Sequence, residues 1–205
     1  KEFDDMLQER LTEAKQIEKA KITNFLEEVW KDFRKSKKQD FSESPNTGYE
    51  ESKLVELAKK INHLPDGKKY FRKIVKLFDD RLAMLDTDRL DWAMGELLAY
   101  ATLLEEGFSV RISGQDVERG TFSHRHAVVK TEDDEEEVIP LNLLSKSQGK
   151  FDIYNSFLSE YAVLGFDYGY AFNTPNGLTI WEAQFGDFFN GAQIIIDQFL
   201  SAAED

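Results

Sequence analysis

Phe151-Asp152-Ile153-Tyr154 and Leu178-Thr179-Ile180-Trp181 are the two segments of this sequence that indicate its fold most directly. Both segments are short and rich in aromatic and β-branched residues, which is typical of strands. The residues between them, from about 157 to 171, are numerous enough for a helix. A strand, a helix and a second strand in this order predict two parallel strands of one sheet.

The alternation continues on both sides of this stretch. Upstream, Asp91 is suited to cap a helix that ends at Gly107, and residues 108–113 alternate as a half-buried strand does. Downstream, a helix is expected over residues 191–203. We therefore predict an α/β domain over residues 91–205, with a mostly parallel open sheet, helices on both faces, and ligands beyond the carboxyl ends of the strands.

Residues 1–90 are predicted to form a helical connecting segment. Apolar residues recur at steps of three or four positions from 2 to 39, which predicts one long helix. A loop at 42–48 follows, and two further helices are expected over about 52–62 and 68–85.

Composition excludes several classes of protein. The hydrophobic content of 41% is enough for a real core, and the absence of cysteine excludes a disulfide framework and thiol catalysis. No apolar run approaches the roughly 20 residues of a membrane span, so we expect no membrane partner. The first residues do not resemble a signal peptide, and the chain begins without methionine, so we expect it to be a piece of a longer protein.

The net charge is −13, which opposes binding to a phosphate backbone, so nucleic acid is not an expected partner. Much of the acid is concentrated in residues 132–137. Because like charges repel and are costly to bury together, this run is predicted to be a solvated loop between two strands, and a role as a partner-binding tail is the alternative.

His124 and His126 are two of the three histidines, and they lie in a loop that begins at Gly120. In an alternating segment both rings point to one side and Arg125 to the other. The pair suits a metal, an anionic substrate or a proton transfer, but two imidazoles without cysteine are too few for a zinc site. Acid–base or anion-binding chemistry is therefore preferred, and two structural histidines are the alternative.

Glu160 lies near the start of the helix predicted after Tyr154. An acid there is also explained by its favourable interaction with the helix N-terminus. Ala162, Gly165 and Gly169 form a small-residue stripe that suggests tight packing on a neighbour. Further along, aromatic residues at the end of the last strand suit a wall for a flat ring or a place in the core.

Three segments together resemble one family. Residues 113–128, Leu158-Ser159-Glu160 and residues 181–193 are similar to the thiamine diphosphate-dependent, decarboxylating component of the 2-oxoglutarate dehydrogenase complex. The resemblance runs from about residue 54 to 205. It implies a transketolase-like pyrimidine-binding domain, preceded by a helical connection.

The resemblance also implies roles for individual residues. A glutamate at the position of Glu160 hydrogen-bonds N1′ of the aminopyrimidine ring and promotes its imino tautomer, and Leu158, Phe185 and Phe188 contact the cofactor. Residues His126 and His124 are similar to active-site histidines that meet the substrate.

The implied substrate is 2-oxoglutarate, and the implied partner is a lipoyl-bearing succinyltransferase that receives the succinyl group. The full enzyme is expected to be a homodimer in the bacterial cytoplasm or the mitochondrial matrix. No Gly-Asp-Gly motif occurs, so the magnesium site is expected outside this sequence, and the chain alone is expected to be inactive. A 2-oxoadipate-type enzyme and a silent helical, acidic interaction module are the alternatives.

Overall fold

The computed structural model of the protein describes residues 1–16 and 26–202, and it consists of two units, residues 1–35 and 36–205. The first unit contains helices α1 (Glu2–Gln16) and α2 (Glu27–Trp30), neither of which has a buried residue. The second unit contains the other helices and all the strands that are described. The boundary between residues 90 and 91 stays a prediction.

The prediction of one helix over residues 2–39 is wrong in its second half. Leu26 has a left-handed backbone with φ of 54°, and residues 33–37 are not helical. Residues 17–25, which belong to the same prediction, lie outside the described residues. Lysine and arginine recur at spacings of three and four from 31 to 38, and such like-charge pairs destabilise a helix that has no buried face to compensate.

Three helices begin the second unit: α3 (Glu51–Ile61), α4 (Arg72–Thr87) and α5 (Trp92–Glu105). Helix α4 begins later than the predicted residue 68. Tyr70 forms an isolated β-bridge with Thr131, and the Lys69 carbonyl accepts a hydrogen bond of 2.8 Å from the Glu132 N–H. Because these backbone groups pair with a distant segment, they are not available to a helix.

Helix α5 has the ends that the sequence predicts. The Asp91 carboxylate accepts a hydrogen bond of 2.8 Å from the Met94 N–H, and Gly107 has φ of 91° after the last turn. The buried residues of α5 lie on one side of the helix, and they form one core with α3, with the first strand and with the segment 139–153. This core supports the sheet from one side.

Five strands are described: β1 (Ser109–Gly114), β2 (Val129–Lys130), β3 (Glu137–Val138), β4 (Phe151–Asn155) and β5 (Gly177–Glu182). Strands β4, β1 and β5 form a sheet in that order, and all three are parallel, which agrees with the predicted mostly parallel sheet. Strands β2 and β3 form an antiparallel hairpin, and the exposed acidic run 132–137 lies mostly in its loop. The prediction of a solvated acidic loop between two strands is confirmed.

Alternation along β1 assigns each face of the sheet to different helices. Val110 and Ile112 are buried in the core that contains α3 and α5. Arg111 and Ser113 point the other way and bind Asp167 of helix α6 (Glu160–Asn173). Helices therefore cover both faces, and the predicted α/β class, with a helical N-terminal segment before a parallel sheet, is confirmed.

Two helix boundaries differ from the prediction. Helix α6 begins at Glu160, not near 157, because the Ser156 N–H still pairs with the Gly114 carbonyl at 2.7 Å and Ser159 is extended. Instead of one helix over 191–203, the chain forms a 3-10 turn (Asp187–Ala192), a short helix α7 (Gln193–Ile195) and a π-helical segment (Ile196–Leu200). Residue 203 lies outside the described residues.

In residues 1–16 and 26–202, no helix has both the length and the apolar character needed to cross a membrane.

Candidate active site

The carboxyl ends of the three parallel strands lie at one edge of the sheet, where the sequence predicts ligand binding. A cleft of about 330 Å³ at this edge is lined by Gln115, Asp116, Asn155, Ser156, Phe157 and Gln184. These residues belong to the ends of strands or to the loops that follow them. The Gln184 side chain donates a hydrogen bond of 2.9 Å to Asp116, which joins the loop after β1 to the loop after β5.

Gly114 explains how closely two of the strand ends approach each other. Its φ is 154°, and a Cβ atom at this position would lie 2.2 Å from the Glu182 carbonyl oxygen. Backbone atoms cannot yield as a flexible side chain does, so glycine is required here. The close approach brings the loop after β1 next to the end of β5.

Glu160 is the first residue of α6 and is only 7% exposed. Its Oε2 accepts a hydrogen bond of 3.1 Å from the Trp181 indole N–H. Its Oε1 is buried, and no group in the described part of the chain donates a hydrogen bond to it. A buried carboxylate oxygen without a partner is costly, which suits an atom that binds a ligand.

The start of α6 has no side-chain cap. Asn155 and Ser156 lie before its first turn, and Ser159 occupies the N-cap position without a side-chain capping bond. Gly191 lies against Glu160, since a Cβ atom on this glycine would be 3.5 Å from the glutamate Cβ. The 3-10 turn 187–192 therefore closes over the catalytic candidate.

Of the two glycines in the small-residue stripe, one contacts another element of the described chain. A Cβ atom on Gly165 would lie 3.4 Å from Ile195, whereas one on Gly169 would meet no atom within 4 Å. Gly165 thus packs on α7 as expected. Gly169 faces open space.

Asp167 was not identified from the sequence. It is 2% exposed, accepts a hydrogen bond of 2.9 Å from Arg111 Nε, and also accepts one from the Ser113 hydroxyl. It lies seven residues after Glu160, which places both acids on one side of α6. Asp167 follows the apolar residues Val163 and Leu164 at helical spacing, so it falls on the buried side of α6. A carboxylate in such a position was the feature of the sequence that could have identified it.

Three aromatic rings form a cluster at the same edge of the sheet. The Phe122 and Phe185 rings are 5.7 Å apart in an edge-to-face arrangement, and the Phe185 and Phe188 rings are 6.4 Å apart. Each ring is at least half exposed, so the cluster offers a surface on which a flat ring can stack. Phe188 belongs to the turn that closes over Glu160.

Leu158 lies between β4 and α6 and is 59% exposed. Its N–H donates to the Ser156 hydroxyl at 3.2 Å. The backbone of this short loop is thus held while the leucine side chain remains available for contact.

The segment with His124 and His126 is not a strand, so the strand geometry predicted for it does not apply. Ser123 and His126 both have positive φ, which breaks the alternation. The His124 ring lies against Gly120, where a Cβ atom would be 2.4 Å from Cε1. His126 borders a small cavity beside Phe78 of α4.

Two buried arginines that sequence reasoning missed hold this segment. Arg81 of α4 donates hydrogen bonds of 2.8 and 2.6 Å to the carbonyls of His124 and Arg125. Arg125 itself binds Glu96 of α5 and Glu182 of β5. An arginine between two candidate histidines was visible in the sequence, but its acidic partners lie 29 and 57 residues away.

The electrostatic surroundings favour a neutral His126. Burial lowers its pKa below the usual value, and electrostatic interactions with Arg81, Arg119 and His124 act in the same direction. At neutral pH the imidazole is therefore uncharged and able to accept a proton or a hydrogen bond.

Strand β5 connects the two halves of the candidate site. Trp181 and Glu182 are successive residues and point to opposite faces, so that Trp181 binds Glu160 and Glu182 binds Arg125 of the histidine segment.

In residues 1–16 and 26–202, no three His, Cys, Asp or Glu side chains converge as a set of metal ligands.

Comparison with known proteins agrees with this architecture. The chain is 44% identical to a mitochondrial 2-oxoglutarate dehydrogenase of Caenorhabditis elegans, over 98% of this chain and 20% of that protein. It is 45% identical to a 2-oxoglutarate dehydrogenase E1 component of Rickettsia felis, over 99% of this chain and 20% of the relative. With the E1 component of Azotobacter vinelandii the identity is 52%, over 78% and 17%.

The chain thus spans about a fifth of the length of these relatives. Residues 88–205 match the model of the transketolase pyrimidine-binding domain, and this match covers the parallel sheet, Glu160 and the aromatic cluster. The chain belongs to the family of transketolase pyrimidine-binding domains.

Proposed function

We propose that the chain is the pyrimidine-binding part of a 2-oxoglutarate dehydrogenase, which catalyses thiamine diphosphate-dependent oxidative decarboxylation of 2-oxoglutarate. The observation that carries the proposal is the buried Glu160 carboxylate, which has one oxygen bound by Trp181 and the other without a hydrogen-bond donor among the described residues. The similarity to 2-oxoglutarate dehydrogenases over nearly the whole chain supports the choice of substrate.

The residues at the carboxyl edge of the sheet fit thiamine diphosphate. Glu160 Oε1 is a buried acceptor that suits a ring nitrogen, and Phe185 and Phe188 present exposed faces for a flat ring. Leu158 adds apolar contact beside Glu160. When bound, the cofactor supplies the electron sink for decarboxylation, while the protein supplies placement and electrostatics.

The histidine segment is assigned to the substrate. His126 and His124 lie in a region where Arg81 and Arg119 add positive charge, which suits a dicarboxylic 2-oxo acid. A neutral His126 accepts a proton or hydrogen bond at this position. The buried Arg81 and Arg125 hold the histidine segment in place without a ligand.

The remaining parts of the proposed enzyme lie outside this chain. They include the magnesium and diphosphate site, the second subunit of a homodimer, and the lipoyl-bearing succinyltransferase that takes the succinyl group. We place the enzyme in the bacterial cytoplasm or the mitochondrial matrix.

The test is steady-state kinetics of the full-length enzyme with Glu160→Gln, which keeps the size of the side chain and removes its acid–base chemistry. We expect kcat to fall about 100-fold or more, in line with the loss of a general acid–base group. Glu135→Gln, in the exposed acidic loop, is the matched control and should leave kcat unchanged. Full activity of Glu160→Gln would remove the assignment.

A further inference from the structure

Ser113 and Trp181 are register partners on the adjacent strands β1 and β5, so their side chains share one face of the sheet. Helix α6 packs on this face. Ser113 donates to Asp167, and Trp181 donates to Glu160, two turns earlier on the same side of the helix. Two neighbouring residues of the sheet thus bind the two acids on the inner side of α6.

We propose that Trp181 is a positioning residue for Glu160, an inference that rests on the function proposed above. Its indole N–H binds Oε2 and thereby determines that Oε1 is the oxygen presented to a ligand.

The chemistry of indole makes this selection one-sided. An indole N–H donates a hydrogen bond and cannot accept one. In a neutral carboxyl group the carbonyl oxygen is a better acceptor than the hydroxyl oxygen, so donation from Trp181 favours Oε2 as the carbonyl oxygen. A proton that Glu160 exchanges with a ligand is thereby directed to Oε1, the buried oxygen that has no donor among the described residues.

Asp167 holds helix α6 in a defined position relative to strand β1. Its carboxylate is bound by Arg111 and Ser113 of β1, and the Arg111 guanidinium also lies 4.8 to 5.3 Å from the centres of the Tyr154, Phe166 and Tyr170 rings. These contacts fix α6 along the sheet. Glu160, at the start of the same helix, is thereby held opposite Trp181.

The test is a double-mutant cycle in the full-length enzyme. Trp181→Phe keeps a ring and removes the N–H donor, and Glu160→Ala removes the group on which the donor acts. We expect Trp181→Phe to lower kcat about tenfold and to weaken thiamine diphosphate binding, measured by calorimetry on the apoenzyme, about threefold, in proportion to the loss of one hydrogen bond to a charged group. The KM for 2-oxoglutarate should change less than twofold.

In the Glu160→Ala background, Trp181→Phe should change neither quantity by more than twofold, because a residue that acts through another loses its effect when that residue is absent. Equal effects in both backgrounds, or no effect in either, would overturn the inference. Trp181→Leu, which likewise lacks a side-chain donor, replaces Trp181→Phe in the cycle if the latter does not fold.

Trp92→Phe is the matched control, since Trp92 is 85% exposed. It should leave kcat and the dissociation constant unchanged. The two proposals fail separately: full activity of Glu160→Gln removes the proposed function, whereas an additive cycle with an inactive Glu160→Gln removes only the role of Trp181.

Discussion

The Arg125 guanidinium binds the Glu182 carboxylate through two hydrogen bonds of 3.1 and 2.5 Å, which tie the histidine segment to the end of β5. The same guanidinium donates to Glu96 at 3.0 and 2.8 Å. Arg125 is 2% exposed, and although burial disfavours its charge, the two acids raise its pKa. The histidine segment therefore depends on a buried ionic network.

Arg125→Met is expected to lower the free energy of unfolding by about 3 kcal/mol, because it leaves Glu96 and the partly exposed Glu182 without their cation. Urea unfolding of the chain, followed by tryptophan fluorescence, measures this loss. Arg119→Met is the control, since Arg119 lies in the same segment and its side chain is 48% exposed. Similar stability of the two variants would contradict the role assigned to the network.

Asp167→Asn is expected to destabilise the chain by about 2 kcal/mol, because Arg111 loses a charged partner and the Ser113 hydroxyl loses a strong acceptor. The urea midpoint should fall accordingly. Asp80→Asn removes an acid that pairs with Lys76 on the exposed side of α4, and its effect should be much smaller. A wild-type midpoint for Asp167→Asn would show that α6 does not depend on this contact.

His126 should make stability fall in mild acid. Its pKa is lowered in the folded protein, so between that lowered pKa and about 6.5 the unfolded chain binds more protons than the folded chain. The contribution of neutral His126 is therefore complete above about pH 6.5 and declines as the pH falls below it. Urea midpoints at several pH values from neutral to mildly acidic measure the slope.

His126→Asn should reduce this slope, since asparagine tolerates the positive φ of 41° and does not titrate. An unchanged slope in His126→Asn would show that other groups cause the pH dependence.

Two glycine substitutions are expected to have opposite effects. Gly120→Ala combines a φ of 79° with a Cβ atom 2.4 Å from the His124 ring, so it should destabilise the chain and displace that ring. Gly169→Ala lies in a helix and meets no atom within 4 Å, so it should stabilise the chain by about 0.5 to 1 kcal/mol. Thermal melting of both variants measures their stabilities. A Gly120→Ala variant that is more stable than Gly169→Ala would contradict the prediction.

The chain alone is expected to show no thiamine-dependent release of carbon dioxide. The residues described here supply an acid, an aromatic surface and a histidine segment, and the proposed diphosphate site lies elsewhere. Radiometric assay of 1-labelled 2-oxoglutarate, with and without thiamine diphosphate and magnesium, measures the release. Activity above the background of Glu160→Ala would contradict the expectation.

The sequence determined the class of fold and the edge at which the candidate site lies. Alternation in β1, short aromatic strands and a capped α5 are local signals, and each of them specifies an element without reference to distant residues. Parallel strands then bring their carboxyl ends, and with them Glu160 and the aromatic residues, to one edge. The class of fold was confirmed for this reason.

Local signals failed in two situations. In one, the segment has no buried face; in the other, pairing with a distant part of the chain decides the conformation. The pattern over residues 2–39 predicted one helix, but residues 33–37 are not helical and neither α1 nor α2 has a buried residue. Helix α4 begins later than predicted because Tyr70 pairs with Thr131, 61 positions later in the chain. Long-range pairing of this kind leaves no mark on local periodicity.

Local sequence thus specifies the order of the elements, the position of Glu160 at a helix start and the location of the candidate histidines. Tertiary contacts were needed to establish that Oε1 of Glu160 has no donor among the described residues, that Arg125 and Arg81 hold the histidine segment, and that Asp167 binds β1. These contacts join residues far apart in the chain, and their strength comes from burial, which removes competing water and makes each unpaired charge costly.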